Sequence, residues 1–402
     1  MKANVIDLFS GCGGLTDGFL QAGGYNTLAA VDWEFPTVDT LRKRLSDKWG
    51  YEQASQKVIC FDMQKTESLI HGWDDSAYGK SCGIKELVGS NKVDVVIGGP
   101  PCQAYSIAGR IRDKNGMHDD YRNYLFESYI KVVKTFQPKV CIFENVQGML
   151  SAAPGGVSII ERISNDFNDA GYYISEELRE VALFNTSDFG VPQKRLRVIV
   201  VAVNKNQCKD YKDMVNEFYL KLNSLKISTV ETVNKAIEDL PRILPLDNPK
   251  SRVSHYVEHE ALNVSDHKPR FHNNRDVGIF RLLANDIQSG QNKYTHSEQL
   301  KALYTEKTGK VSSVHKYHVL RGDSPSNTIP AHLYKDGLRH IHPDPEQARS
   351  ITVREAARLQ TFDDDYVFLG SNGAKYKMIG NAVPPKFAKL IALSVKDVLT
   401  KE

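Results

Sequence analysis

The chain has 402 residues, a length that suggests two or three domains and allows one large hydrophobic core. Hydrophobic residues make up 41% of it and charged residues 25%, which is ordinary for a soluble enzyme, and its net charge of +3 identifies no partner. No apolar run is long enough to cross a membrane, and the first residues lack the hydrophobic region of a secretion signal. We therefore expect a cytoplasmic protein with no membrane partner.

Strand and helix patterns alternate through the first half of the chain. Runs of strand-forming residues that end at Gly, Pro or Asp predict strands, and helical spacing follows several of them. This alternation is typical of an α/β fold, here a doubly wound and mostly parallel sheet. The predicted strands cover residues 5–9, 25–31, 57–61, 93–97, 140–143, 172–181 and 197–203.

The other stretches have weaker patterns. Residues 64–91 are polar and contain four glycines, so we expect a surface excursion, and the charged residues 107–120 predict a mobile loop. Residues 204–325 lack regular alternation and predict no fold. Helical spacing returns over residues 350–361 and 385–399.

The spacing of the cysteines predicts no metal site, and the distribution of charge shows one basic region. None of the six cysteines belongs to a C-x-x-C pair, so we expect no metal site, and most free cysteines are small buried residues. Residues 251–340 hold 13 Lys and Arg, 9 Asp and Glu, and 9 of the 12 His, a net charge of +4 with neutral His. A basic, His-rich region suits a polyanion, and a solvated surface is the alternative.

The first predicted strand is followed by a Gly-rich turn. Gly11-x-Gly13 begins a dinucleotide fingerprint, but Thr16 stands where its third glycine would fall. Asp32 follows the second strand, 21 residues after Gly11, where an acid can bind a ribose diol. Trp33 could stack on an adenine, and Asp62 could accept from its amino group. The pattern favours a cofactor that carries a nucleoside, and S-adenosylmethionine is the obvious candidate.

The fourth predicted strand runs into Gly99-Pro100-Pro101-Cys102, which places a thiol on a stiff loop. In open α/β sheets, chemistry gathers at the ends of such strands. A thiol is useful where a ring carbon must first be made nucleophilic. Attack of a thiolate on carbon 6 of a pyrimidine moves electron density to carbon 5, which can then take a methyl group.

That attack needs an acid at ring nitrogen 3 of the base. Glu144 ends the fifth predicted strand, and neighbouring strand ends converge at one crevice. Arg195 and Arg197 open the last predicted strand and share one of its faces. They could hold the base carbonyl and a flanking phosphate, or orient Glu144, and a solvated basic stretch is the alternative.

As a set, these motifs resemble those of the cytosine-5 DNA methyltransferase family, in the expected order and over nearly the whole chain. Two departures concern Tyr105, where Phe is more usual, and Asp32, where many members carry Glu. The motifs that carry the resemblance are Asp7-Leu8-Phe9-Ser10-Gly11-x-Gly13-Gly14, Gly99-Pro100-Pro101-Cys102-Gln103-x-x-Ser106, Glu144-Asn145-Val146, Gln193-x-Arg195-x-Arg197, Arg354-Glu355-x-Ala357-Arg358-Leu359-Gln360 and Gly380-Asn381-x-Val383-Pro384-Pro385.

The resemblance implies a role for each motif. Cys102 would be the nucleophile, Glu144 the acid at ring nitrogen 3, and Arg195 and Arg197 further catalytic residues, with Arg195 as a partner of the base. Contacts with DNA are implied for Gln103, Ser106 and Asn145. The implied cofactor-binding residues are Asp7, Phe9, Ser10, Gly11, Gly13, Gly14, Leu15, Asp32, Trp33, Asp62, Met63, Pro100, Leu125, Asn381 and Val383.

The resemblance also implies an organisation and a partner. Residues 1–203 with 379–402 would form the catalytic and cofactor-binding domain, 204–325 a smaller irregular target-recognition domain, and 326–378 the remainder and hinge. The substrate would be a cytosine flipped out of a specific duplex DNA sequence, at a cost of a few kcal/mol. We expect a monomeric modification enzyme, with a restriction endonuclease that acts on the same site as a possible partner.

Three other functions fit parts of the sequence. A cytosine in transfer RNA could replace the DNA target, although the long 204–325 segment favours a DNA sequence reader. An inactive methyltransferase-like DNA-binding module would not need Cys102, Glu144 and Arg195. A nicotinamide enzyme is disfavoured by Thr16 and by Cys102.

Overall fold

The computed structural model describes residues 2–100, 125–153, 156–250, 252–259, 264–335 and 337–400, without the side chain of Lys250. The chain divides into two compact units. Unit 1 comprises Met1–Phe189, Arg195–Ser228 and Ala382–Glu402, and unit 2 comprises Gly190–Lys194 and Thr229–Asn381. The predicted loop over 107–120 lies outside the described residues.

Unit 1 is built on an eight-stranded sheet, in the order β3-β2-β1-β6-β7-β10-β8, with β9 paired to β10. Strands β1, β2, β3, β6 and β7 are parallel, and β10 is antiparallel to β7. The predicted doubly wound, mostly parallel sheet is therefore confirmed. The strands are β1 Ala3–Leu8, β2 Tyr25–Asp32, β3 Val58–Cys60, β4 Trp73–Asp75, β5 Gly79–Ser81, β6 Val95–Gly98, β7 Val140–Val146, β8 Tyr172–Tyr173, β9 Leu183–Asn185, β10 Leu196–Asn204, β11 Ile243–Lys250 and β12 Val253–Val257.

Helices cover the sheet of unit 1 and form much of unit 2. Units 1 and 2 each bury their own hydrophobic residues. The helices within residues 233–381 belong to unit 2. The α-helices are α1 Gly14–Ala22, α2 Phe35–Trp49, α3 Ala54–Lys57, α4 Thr66–His71, α5 Gly83–Val88, α6 Leu125–Phe136, α7 Ile159–Asp169, α8 Leu178–Val181, α9 Tyr211–Ser224, α10 Val233–Ile237, α11 Asn274–Gln288, α12 Ser297–Thr308, α13 Val353–Leu359, α14 Asn372–Asn381 and α15 Pro385–Leu399.

The last helix packs closely against the first. A Cβ added at Gly18 would lie 2.4 Å from the Cβ of Ala388, so this contact requires glycine. The hydroxyl of Tyr25 donates to the Ala392 carbonyl at 2.6 Å. Residues 382–402 thereby complete unit 1, although they are distant in sequence from its sheet.

Two predictions of local structure were wrong. Of the strand predicted over 172–181, only Tyr172–Tyr173 is a strand, and Leu178–Val181 is helical. The Ser175 hydroxyl accepts from the Glu177 N–H at 3.2 Å, and this local turn ends the extended segment. Ile174, Leu178 and Val181 then follow helical rather than strand spacing.

The predicted surface excursion over 64–91 is instead a small layer with its own buried residues. It contains α4, α5 and the β4–β5 hairpin, and it buries Leu69, Ile70, Ile84 and Val88. Glycines are typical of irregular structure, but Gly83 instead allows its backbone to pass close to that of Gly72. A Cβ at Gly83 would lie 2.4 Å from the Gly72 nitrogen.

Helix α9 also departs from the predicted organisation. It belongs to unit 1, whereas residues 204–325 were assigned to the recognition domain. The hydroxyl of Tyr219 donates to the Ile199 carbonyl in β10 at 3.1 Å, and Phe218 and Leu222 are buried. The second compact unit therefore begins at Thr229, apart from the short Gly190–Lys194 segment. The functional division of the chain stays a prediction.

Unit 2 contains a hydrophobic cluster and a network of buried charges. Its cluster joins α11 and α12 to Tyr317 and Val319. Arg349 and Glu355 are both 1% exposed, and the two guanidinium nitrogens of Arg349 donate to the Glu355 carboxylate at 2.7 and 2.6 Å. Arg354 is also buried and donates to the carbonyls of Ser265, Asp363 and Tyr366. Several residues of the Arg354–Gln360 motif therefore hold unit 2 together.

Many histidines of unit 2 are buried and neutral. Burial lowers the pKa of His255 and His318 to about 4, and that of His272, His340 and His342 to about 3. The His-rich composition of residues 251–340 thus contributes little positive charge near neutral pH. Any attraction for a polyanion in this region must come from Lys and Arg.

A buried ion pair joins α1 to α2 in unit 1. Arg44 donates to Asp17 at 2.7 Å, and the indole N–H of Trp49 donates to the same carboxylate at 2.8 Å. The side chains of Asp17 and Arg44 are 0% and 2% exposed. Removing one partner leaves an uncompensated buried charge, which is strongly destabilising.

We predict that Asp17→Ala lowers the free energy of unfolding by about 3–5 kcal/mol, measured by urea denaturation followed through tryptophan fluorescence. The matched control is Asp47→Ala, which breaks the exposed Lys43–Asp47 pair of 2.7 Å and should cost about 0–1 kcal/mol. Equal losses in the two variants would contradict the importance assigned to the buried pair.

We also predict that unit 2 loses stability as the pH falls from about 6.5 to 4. The folded-state pKa of each buried histidine lies below its unfolded value of about 6.5, so the unfolded state binds more protons in this range. Each histidine contributes up to about 1.4 kcal/mol per pH unit. In unit 1, the pKa values of Asp7 and Asp32 are raised to about 7 and about 6, so the folded state binds more protons than the unfolded state. These two carboxyls therefore make unit 1 less stable as the pH rises through this range, whereas the histidines make unit 2 less stable as the pH falls.

The stability of unit 2 can be measured by hydrogen exchange of its peptides, corrected for intrinsic rates. Tryptophan fluorescence would not serve, because all three tryptophans lie in unit 1. His342→Asn should reduce the slope of unit 2 stability against pH by up to one proton, because it removes one titrating group. The fold should be retained, since an amide oxygen can still accept from the Asp344 N–H that now donates to the ring at 3.1 Å. His259→Asn, at an exposed histidine, should leave the slope unchanged. A pH-independent unit 2 would disprove the prediction.

Candidate functional site

The polar residues predicted from strand ends meet at one edge of the sheet in unit 1. Because β1, β2, β3, β6 and β7 are parallel, their carboxyl ends share this edge. Strand β10 runs the other way, so its first residues lie there too, with Arg197 opposite Val146. The sheet therefore brings together the turn after β1, Asp32, Asp62, Gly99 and Glu144.

The Gly-rich turn after β1 is tight and fixed to β2. Phe9, Gly11 and Gly13 have φ values of 60°, 56° and 92°, in the left-handed region that favours glycine. The N–H of Gly11 donates to an Asp32 carboxylate oxygen at 3.0 Å, and the Ser10 hydroxyl donates to the Val31 carbonyl at 3.3 Å. The turn then leads directly into α1, whose N-cap is Gly13.

Thr16 has a role that the incomplete fingerprint did not reveal. Its hydroxyl donates to one oxygen of Asp7, a carboxyl that is fully buried at the end of β1. Burial, together with the nearby Asp32, raises the pKa of Asp7 to about 7. The other oxygen, Oδ1 of Asp7, is buried without a hydrogen-bond partner among the described residues. A threonine at this position supports the acid that the turn encloses.

The residues after β2 and β3 present an aromatic face and a second acid. Trp33 is 54% exposed, so the face of its ring is open to a planar ligand. Asp32 also accepts from the Glu34 N–H at 3.0 Å, and burial raises its pKa to about 6. Asp62 accepts from the Gln64 N–H at 3.0 Å, and Met63 beside it is buried. Two buried or half-buried acids beside an exposed indole suit a ligand with hydroxyl donors, a planar base and positive charge.

Glu144 is held by Arg197. The guanidinium Nε lies 2.6 Å from Oε1 of the carboxylate, and each side chain is 12% exposed. Burial lowers the pKa of the Arg197 guanidinium, and the Glu144 carboxylate opposes this shift. The carboxylate is thus fixed in direction while a small part of its surface stays open at the strand edge.

Gly99 lies against the same carboxylate. A Cβ at this position would be 2.7 Å from Oε2 of Glu144, closer than real Cβ contacts allow. The absence of a side chain at Gly99 therefore lets the end of β6 pass beside Glu144. In the sequence, Gly99 marks only the end of a strand, and its position between a buried strand and two prolines is the one local signal of a close approach.

Arg195 occupies a different place from Arg197. It is 1% exposed, and its Nη2 donates to the Ala382 carbonyl at 3.0 Å. Burial lowers the pKa of its guanidinium, and the charge of Arg197 lowers it further, so the two groups are close. The expected role of Arg195 as a partner of the base stays a prediction, and Arg197 contacts Glu144.

Asn145 faces the loop rather than solvent. It is 5% exposed, its amide nitrogen is 3.4 Å from the Pro100 carbonyl, and its oxygen accepts from the Val146 N–H at 2.8 Å. These contacts fix the chain immediately before Pro101 and Cys102. Asn145 thus contacts Pro100, and its expected contact with DNA stays a prediction.

The remaining predicted site residues lie in several places. Leu15 in α1, Leu125 at the start of α6 and Val383 are buried in unit 1, and Gly14 approaches the Val383 backbone so closely that a Cβ would lie 2.2 Å from its carbonyl oxygen. Asn381 ends α14 in unit 2. Cys102, Gln103 and Ser106 lie outside the described residues.

Neither a metal-binding cluster nor a membrane-spanning helix is present in the part of the chain that the structure describes. The described residues contain no group of three or more His, Cys, Asp or Glu side chains that could hold a metal ion. None of their helices combines the length and the apolar character needed to cross a membrane.

We predict that Gly99→Ala lowers catalytic activity by roughly 100-fold, because the added methyl group must displace the Glu144 carboxylate and small displacements of catalytic groups have large effects. The measurement is the rate of methyl transfer alongside a thermal unfolding curve. Gly278→Ala is the control, since a Cβ there meets nothing within 4 Å. Full activity of Gly99→Ala would show that the carboxylate can move without consequence.

Comparison with known proteins agrees with this geometry. A family described as C-5 cytosine-specific DNA methylase matches residues 3–397. The Type II methyltransferase M.Bpa9945I of Bacillus paralicheniformis is 32% identical, over 98% of this chain and 99% of its own. The Type II methyltransferase M1.HphI of Haemophilus parahaemolyticus is 31% identical, over 100% and 89% of the two chains.

A solved structure is similar in fold. A protein encoded within an Escherichia coli prophage and described as a DNA modification methyltransferase superposes with a TM-score of 0.63, at 22% identity and over 100% of both chains. At this identity the likeness concerns the fold alone.

Proposed function

The chain belongs to the C-5 cytosine-specific DNA methylase family, and from that premise we propose how its residues methylate carbon 5 of cytosine in DNA. The observation that carries the proposal is the Glu144 carboxylate, held by Arg197 at 2.6 Å and lying beside Gly99, three residues before Cys102. An acid and Gly99, the residue from which the chain continues to Cys102, thus lie at one sheet edge. The named relatives are Type II methyltransferases, which supports a modification role.

In the proposed mechanism, the target cytosine leaves the duplex, because a stacked base cannot reach Cys102. The Cys102 thiolate forms a bond to carbon 6 while the carboxyl of Glu144 donates a hydrogen bond or proton to ring nitrogen 3, which receives the displaced electron density. Carbon 5 then takes the methyl group. The bond between the methyl group and the sulfur of its donor would break as the new bond to carbon 5 forms. A solvent base then removes the proton from carbon 5, the electron pair re-forms the double bond between carbons 5 and 6, and the sulfur of Cys102 leaves carbon 6 as a thiolate. Any proton that ring nitrogen 3 has gained returns to Glu144.

S-adenosylmethionine is the proposed methyl donor, and the described residues fit it. Asp32 can accept from ribose hydroxyls, Trp33 offers an open aromatic face, and Asp62 can accept from an adenine amino group. Oδ1 of Asp7 is a buried acceptor without a partner among the described residues, and because the pKa of this carboxyl is raised to about 7, a positively charged ligand nearby would favour its ionised form. When bound, this cofactor supplies an electrophilic methyl group on a sulfonium.

The cellular setting is proposed from the substrate. Because the substrate is DNA, we place the enzyme with the chromosome in the cytoplasm. We propose that it acts as a monomer and that a restriction endonuclease shares its site. Expression in a host without cytosine methylation, followed by bisulfite sequencing, should reveal 5-methylcytosine at one defined sequence. Modified transfer RNA with unmodified DNA would favour the RNA alternative instead.

We predict that Cys102→Ala abolishes methylation while DNA binding persists, because the substitution removes the nucleophile and little contact area. Duplex DNA that carries 5-fluorocytosine at the target should form a covalent adduct with the wild-type protein and none with the variant. Cys82→Ala, at an exposed cysteine remote in sequence, is the control and should retain both activities. Turnover by Cys102→Ala would overturn the mechanism.

A further inference from the structure

Strands β4 and β5 of unit 1 form a two-stranded hairpin over residues 73–81, here called the β4–β5 hairpin, that lies outside every predicted motif. Trp73 and Tyr78 are its aromatic residues, and both are partly buried. They pack against Phe61, which is 0% exposed and directly precedes Asp62. The hairpin therefore lies beside the acid that is proposed to bind adenine.

Phe61 contacts both aromatic rings of the hairpin. The Trp73 ring stacks on it with ring centroids 4.0 Å apart, and the Tyr78 ring meets it edge-on at 5.2 Å. The N–H of Phe61 also donates to the Asp32 carbonyl at 2.9 Å. Aromatic pairs of this kind stabilise packing beyond the area that they bury. These contacts therefore fix the chain immediately before Asp62.

Lys65 joins the other side of Asp62 to the hairpin. Its N–H donates to the Asp62 carbonyl at 3.1 Å, in the turn that leads into α4. Its ammonium group donates to Oδ2 of Asp75 at 2.5 Å. Oδ1 of Asp75 accepts from the N–H groups of Ala77 and Tyr78, at 2.8 and 3.3 Å, so this carboxylate also shapes the hairpin turn. The chain is thus tied to the hairpin both before and after Asp62.

Tyr78 contacts the segment after β2 as well. Its ring stacks on Phe35 with ring centroids 6.2 Å apart, and Phe35 lies two residues after Trp33. Burial and the charge of Asp62 both raise the pKa of Tyr78, so its phenol lies near that carboxylate. One side chain of the hairpin therefore connects the two segments that carry the proposed adenine-binding residues.

We infer that the β4–β5 hairpin holds Asp62 and Trp33 in place for the adenine ring of S-adenosylmethionine. Tyr78 and Lys65 are the positioning residues. This inference rests on the proposed function and deepens it, because it assigns the selectivity for adenine to a hairpin. Asp62 accepts from the adenine amino group only while its turn is held in place. A base with a carbonyl oxygen instead of that amino group would present an acceptor to the carboxylate, and the site would reject it.

The test measures the affinity of the full chain for two compounds by isothermal titration calorimetry. One is S-adenosylhomocysteine, and the other is S-inosylhomocysteine, in which a carbonyl replaces the adenine amino group. The wild-type chain should prefer the adenosyl compound by roughly tenfold, the effect of one hydrogen bond to a charged group. Tyr78→Ala and Lys65→Ala should each weaken binding of the adenosyl compound by roughly tenfold and that of the inosyl compound less, so the preference falls.

Kinetics and conservative variants separate positioning from a loss of folding. Tyr78→Ala and Lys65→Ala should raise the KM for S-adenosylmethionine and retain kcat at saturation, because the reacting groups are unchanged. Tyr78→Phe keeps the ring and should restore binding. Lys80→Ala is the matched control for Lys65→Ala, since the Lys80–Asp74 pair of the same hairpin is exposed. Thermal unfolding curves report folding, and the Lys65 side chain is 50% exposed, so Lys65→Ala should fold.

The possible results separate the two proposals. If the wild-type chain does not bind S-adenosylhomocysteine, the proposed cofactor is contradicted and the inference falls with it. Normal wild-type binding and preference, with the same affinities in Tyr78→Ala and Lys65→Ala, would overturn the inference alone. An equal loss of affinity for the two compounds would assign the hairpin to stability in place of adenine selectivity and overturn it as well.

Discussion

The contact between Glu144 and Arg197 is the interaction on which the candidate site depends. Both side chains are 12% exposed, so each charge has lost much of its hydration and needs the other. The pair forms because β10 runs antiparallel to β7, which brings the start of one strand to the end of the other. A parallel β10 would begin at the opposite edge of the sheet and leave Glu144 without this partner.

The same contact constrains the neighbouring strand. Strand β6 pairs with β7 with Gly98 opposite Phe143, so the next residue, Gly99, must pass the Glu144 carboxylate. A Cβ at Gly99 would lie 2.7 Å from Oε2, so another residue there would have to displace the carboxylate. Asn145 then fixes Pro100 through its carbonyl. One carboxylate, one glycine and one amide therefore determine where the chain leaves the sheet before Cys102.

Local patterns in the sequence predicted the parts of this arrangement that are set by strands. Apolar runs that end at Asp32, Asp62, Gly99 and Glu144 gave both the sheet and the edge at which these residues meet. The contact of Arg197 with Glu144 depends on the pairing of β10 with β7, which adjacent residues do not specify. The buried histidines of unit 2 were equally hidden, because composition records how many histidines there are and not which are desolvated.

The five-residue segment Gln193–Arg197 shows why a motif need not correspond to one site. Gln193 is buried in unit 2, where its amide donates to Gln360 at 2.7 Å and its oxygen accepts from the Ile329 N–H at 2.9 Å. Arg195 and Arg197 belong to unit 1. The two ends of the motif therefore have separate roles, because Gln193 is held within unit 2 whereas Arg197 contacts Glu144 within unit 1. A fixed spacing in the sequence does not reveal this division, which depends on the contacts that each side chain makes.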